Sequence, residues 1–120
     1  MRSLRIAIVD DDESLCTALA GLLRSLGYAA SGHGSAEGFL ASGDVGHVDC
    51  IVSDVHMPSM SGLDLKKQLD AIGDHTPVIM ITARTSSCLN AQISALGAYG
   101  PLTKPFEADA LIDCIQQAVA

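Results

Sequence analysis

The chain has 120 residues, of which 48% are hydrophobic and 18% charged, a size and composition that fit one globular domain and leave no room for two independent cores. Fourteen Asp and Glu against seven Lys and Arg give a net charge of −7, which argues against nucleic-acid binding, and four aromatics without a Trp offer no base-stacking platform. No apolar run approaches the roughly 20 residues needed to cross a bilayer, and the start Met1-Arg2-Ser3-Leu4-Arg5 carries no secretory leader pattern, so a cytoplasmic protein is expected.

Short apolar runs alternate with helical patterns five times. Leu4 to Val9 reads as a strand that ends in Asp10-Asp11-Asp12. Leu15, Leu19, Leu22, Leu23 and Leu26 recur at helical spacing, and Gly27 suits a left-handed cap. A weak second strand covers Tyr28 to Ser31, and Ser35 is placed to cap a helix through Leu40. Val48 to Ser53 forms a third strand running into Asp54, and Pro58 and Gly62 bracket a loop before a helix carrying Leu65, Leu69 and Ile72. Pro77 opens a fourth strand, Val78 to Ile81, which leads into Thr82. Ser86 or Ser87 caps a helix whose Leu89, Ile93 and Leu96 share one face. A short fifth strand lies near Leu102-Thr103, and Leu111, Ile112, Ile115 and Val119 mark a last helix.

The first, third and fourth strands are nearly continuous in apolar residues, the pattern of strands covered by helices on both faces of a parallel sheet. Five strand–helix units with short connections predict an open α/β sandwich. The four cysteines (Cys16, Cys50, Cys88 and Cys114) form no Cys-x-x-Cys pair, and Cys16, Cys50 and Cys114 sit in apolar stretches that suit buried thiols. The four histidines are equally scattered, and a zinc site is not expected.

In such a sheet ligands bind beyond the carboxyl ends of the strands. Those ends deliver Asp10, Asp11 and Asp12, then Asp54, Thr82 and Lys104. Crowded carboxylates repel unless protonated or bridged by a cation, and oxygen-only donors suit a hard ion such as magnesium. A lysine supplies a point charge for a phosphoryl group and a threonine a hydroxyl donor. The set reads as a magnesium-assisted phosphoryl site with a carboxylate nucleophile.

Four segments make a resemblance specific: Ile8-Val9-Asp10-Asp11-Asp12, Ser53-Asp54-Val55-His56-Met57-Pro58 with Gly62 behind it, Ile81-Thr82-Ala83, and Leu102-Thr103-Lys104-Pro105-Phe106. Over its whole length the chain resembles a response-regulator receiver domain of two-component signalling. The resemblance implies a flavodoxin-like three-layer sandwich, with a five-stranded parallel sheet in the order 2-1-3-4-5 and five helices. It implies a single receiver domain over residues 1–120, with no output domain among them. Asp54 becomes the phosphoacceptor, and Lys104 and Thr82 contact phosphoryl oxygens. Asp11, Asp54 and the backbone carbonyl of His56 become ligands of magnesium or another divalent such as manganese, with Asp10 in support, partly through water. The implied partners are a sensor histidine kinase or phosphotransfer protein, and an output protein or a C-terminal output domain outside these residues. No nucleic acid or membrane partner is implied. A homodimer through the fourth- and fifth-helix face is common in the family, and nothing in this sequence selects it.

Each position also has a plain reading: Asp12 as a helix N-cap, Thr82 as the end of a strand, and Gly27, Gly62 and Gly97 as turn or cap residues. One departure stands out. The family usually carries Tyr or Phe three residues before the strand-five lysine, and here that residue is Pro101, preceded by Tyr99-Gly100. Signal transmission by movement of the loop after strand four, or by Tyr99, is the alternative to an aromatic switch. His56 and Arg84, two residues beyond Asp54 and Thr82, border the phosphoryl group in the family. Two competing functions are a receiver-like module that never takes phosphate and a haloacid-dehalogenase-type phosphatase, whose Asp-x-Asp pattern Asp10 and Asp12 mimic.

Overall fold

The computed structural model describes residues 3–120; Met1 and Arg2, part of the start read for a leader, lie outside them. Strands and helices alternate as β1 (Arg5–Val9), α1 (Glu13–Ser25), β2 (Ala29–His33), α2 (Ala36–Ala41), β3 (Cys50–Asp54), α3 (Gly62–Ala71), β4 (Val78–Thr82), α4 (Ser87–Ala95), β5 (Tyr99–Thr103) and α5 (Ala108–Val119). The strands form one parallel sheet in the order β2-β1-β3-β4-β5.

Alternation along the strands divides the core in two. Ile6, Ile8, Cys50, Val52, Ile79 and Ile81 face Leu19 and Leu23 of α1 and Leu111 and Ile115 of α5. Ala7, Val9, Ile51, Val78 and Met80 face Phe39 of α2, Leu65 and Leu69 of α3 and Ile93 of α4. The sheet is therefore the middle of three layers, as expected. Every strand points the same way, so all five carboxyl ends and the loops that leave them share one rim.

Local signals set the boundaries. Asp12, Ser35 and Ser86 accept the amides of Leu15, Gly38 and Leu89 at 3.2, 2.9 and 3.0 Å, so each caps its helix. Ser61 and Asp64 complete a reciprocal capping box at the start of α3. Four details differ from the sequence reading. β2 runs on to His33, since β1 pairs with it as far as Val9. β3 begins at Cys50 rather than Val48. β5 reaches back to Tyr99 through a register shift opposite Ile79 and Ile81. Leu26 and Ile72, placed by spacing on buried stripes, are C-cap residues left 54% and 61% exposed, each lying just past the last helical turn. The thiols of Cys16 and Cys50 are buried and that of Cys114 half-buried, as anticipated, while Cys88 is exposed.

Candidate phosphoryl and metal site

Asp10 follows the last residue of β1 and is fully buried. Its amide donates to the His33 carbonyl at 3.0 Å, which fixes the backbone against β2. Its carboxylate then turns to the rim: Oδ1 accepts the Asp12 amide at 2.9 Å and Oδ2 accepts Lys104 Nζ at 2.8 Å. Lys104 leaves β5 with its own amide donated to the Thr82 carbonyl at 2.7 Å. From there Nζ also lies 3.7 Å from Oδ1 of Asp54. One ammonium thus sits between two carboxylates from different strands. The Lys104–Pro105 and Gly100–Pro101 peptides are both cis.

Asp54 ends β3 and is almost fully buried. Burial, then the charge of Asp10, push its carboxyl above the usual range, while Lys104 and the backbone amide of His56 oppose them. Burial works against the Lys104 ammonium, but its hydrogen bond to Asp10 and the charges of Asp54 and Asp10 outweigh that and hold it above its ordinary value. Asp11 is exposed at the mouth. Asp10, Asp11 and Asp54 each offer one oxygen, and these oxygens lie within 4.8 Å of one another. Three ionised carboxylates against one ammonium leave two negative charges, so this donor set fits a hard divalent cation.

Thr82 ends β4 and is fully buried. Its hydroxyl donates to the Arg84 carbonyl at 2.8 Å and accepts the Arg84 amide at 3.1 Å, which closes a tight ring at the start of the β4–α4 loop. His56 is exposed, and with Arg84 and Cys88 it lines a groove of about 450 Å³ beside the site. Asp12 is the N-cap of α1, the plain reading of that residue.

Two residues that shape the site were not singled out for it by sequence. A Cβ on Gly62 would lie 2.4 Å from the Asp54 carbonyl, so the turn read as a simple cap is a close approach of α3 to the end of β3. Ser53, buried beside it, donates its hydroxyl to that same carbonyl at 3.0 Å. A glycine four residues beyond Pro58, at the start of α3, was a visible signal for the first; nothing in a single sequence signals the second.

A parallel sheet in this strand order, with three acids, a threonine and a lysine on one rim, defines a class that the comparisons name. The response regulator receiver domain family matches residues 6–116, and the chain belongs to it. It is 40% identical over 117 residues to the transcriptional regulatory protein FixJ of Azorhizobium caulinodans, covering 98% of this chain and 56% of that protein. It is 35% identical over 118 residues to the response regulator protein TodT of Pseudomonas putida, covering 98% and 52%. The crystal structure of Vibrio cholerae chemotaxis protein CheY4 superposes with a TM-score of 0.88 at 30% identity, over 97% of this chain and 98% of that one. The chain spans about half the length of the curated relatives it matches.

Proposed function

We propose that this receiver domain takes a phosphoryl group on Asp54. The observation that carries the reading is the ammonium of Lys104 held between Asp10 and Asp54 by the 2.8 and 3.7 Å contacts, next to the three-carboxylate cluster. An Asp54 oxygen attacks phosphorus of a phosphohistidine or small acyl phosphate; the bond from phosphorus to the donor breaks, and the leaving group departs with that electron pair and takes up a proton. Lys104 is placed to pair with a phosphoryl oxygen as charge develops on it, and Thr82 supplies a hydroxyl within the same rim. Asp11, Asp54 and the His56 carbonyl, with Asp10 in support, would hold a magnesium ion, which would supply counter-charge to the acids and the phosphoryl oxygens. The donor is a histidine kinase or phosphotransfer protein, and the altered rim is read by an output protein or a further domain.

The reading is tested by intact mass after incubation with magnesium and acetyl phosphate. One added phosphoryl group is expected, absent from Asp54→Asn and from a magnesium-free control. No adduct on a folded chain that binds magnesium shifts the reading to a phosphate-independent module, which Pro101 favours because proline has no side-chain rotamer that could follow Thr82. The haloacid-dehalogenase reading has less support: Asp12 is spent on the cap of α1, and Asp10 is buried against Lys104.

A further inference from the structure

Successive residues of β2 serve opposite sides. The Ala29 amide donates to Leu4 at 2.9 Å and the His33 carbonyl accepts from Asp10 at 3.0 Å, so the odd-numbered residues make the ladder with β1. Ala30 and Gly32 therefore aim their backbone groups at the open side, because β2 is an edge of the sheet. Arg24 takes one of these groups, donating Nη2 to the Ala30 carbonyl at 2.7 Å. The Ala30 amide and both Gly32 groups are left facing outward.

Edges are usually blunted by a proline, a lysine or a bulge. This one, Ala-Ala-Ser-Gly-His, has no proline or lysine, and its register with β1 is unbroken. It opens beside α1 on a groove of about 510 Å³ whose walls include Glu13, Thr17, Arg24, Gly32 and Gly34. The groove is polarised end to end. Glu13 begins α1 at the Gly34 end, and Arg24 stands in its last turn at the Ala30 end.

We propose that the β2 edge docks a second copy of this chain by two-fold antiparallel pairing centred on Gly32. Each Gly32 then exchanges N–H···O=C bonds with Gly32 of the second copy, and Ala30 of one copy approaches Gly34 of the other. The same axis brings Arg24 against Glu13 of the second copy, and does so twice, because a two-fold interface repeats each contact. That charge match singles out a second copy over an unrelated strand. The two five-stranded sheets become one continuous sheet.

Sedimentation velocity on the phosphate-free chain tests the pairing, at concentrations up to about 1 mM and in about 0.15 M salt, where repulsion beyond about 8 Å is screened. The weight-average mass is expected to rise with concentration toward the dimer. Gly32→Pro removes an outward amide and no β1 ladder bond, and is expected to abolish the rise while the amide spectrum stays dispersed. Arg24→Glu and Glu13→Arg are each expected to weaken the dimer about tenfold, since two exposed pairs become repulsive. The double variant restores it, which a folding defect in either single variant cannot imitate, so this trio decides if Gly32→Pro fails to fold. A monomer at every concentration, or a dimer that all these variants leave unchanged, overturns the proposal.

Discussion

Asp10 depends on one side chain. It is fully buried, and Lys104 at 2.8 Å is its only ion-pair partner among the described residues. Removing one member of such a pair strands a charge, which costs about 3 kcal/mol when the missing partner is itself partly solvated. Lys104→Ala is therefore expected to lower stability by about that amount in urea melts, and adding Asp10→Asn to recover much of it. Equal losses in Lys104→Ala with and without Asp10→Asn would show that the pair carries no coupling. Asp10 was legible in sequence because it stands immediately beyond an apolar strand, and Lys104 because it follows the short fifth strand in the segment Leu102-Thr103-Lys104-Pro105-Phe106; strand direction brings both to the rim. Ser53 was not, because its hydroxyl bonds the carbonyl of the next residue and no pattern marks that, and Gly62 showed only as a turn glycine, because its close approach to the Asp54 carbonyl is a tertiary fact that spacing does not encode.

The start of α3 shows what an element does for a site. Its first residue, Gly62, donates its amide to the Val55 carbonyl at 2.9 Å and presses against the carbonyl of Asp54, while the Ser61–Asp64 box fixes the helix end. Gly62→Ala puts a methyl group where rigid backbone already lies, and is expected to cost about 3 kcal/mol. It also shifts Asp54, so amide resonances of β3 and magnesium affinity are expected to change together. A melt and spectrum like the parent's would mean the backbone yields freely there. At this scale the sequence spoke unevenly. β1, β3 and β4 were readable because burial on both faces demands uninterrupted apolar runs. β2 and β5 were read short because edge strands are half-exposed and carry Gly32, Gly100 and Pro101, residues that usually mark the end of a strand.

Over the whole molecule the acid cluster sets how stability follows pH. Burial and Asp10 raise the Asp54 carboxyl above its ordinary value, so the native state binds this proton more tightly than the unfolded chain does. The stability it contributes is complete below the unfolded carboxylate range and is lost as pH rises through the folded value. At neutral pH ionised Asp54 is a burden. Asp54→Asn is expected to raise the urea midpoint near pH 7.5, with the gain shrinking as the pH is lowered into the carboxylate range. Magnesium is expected to narrow the same gap from the other side by stabilising the parent more than the variant. A gain independent of both pH and magnesium would trace the effect to packing instead.

The ring between Thr82 and Arg84 has a further consequence. A hydroxyl owns a single proton, and here it is committed to the Arg84 carbonyl. Turning it toward an anion on Asp54 would exchange that bond for one of similar strength, whereas turning it with no anion there forfeits the bond, about 1 kcal/mol. Any anion at the rim that recruits this hydroxyl would thereby free the carbonyl and amide of one exposed arginine, and with them the start of the β4–α4 loop.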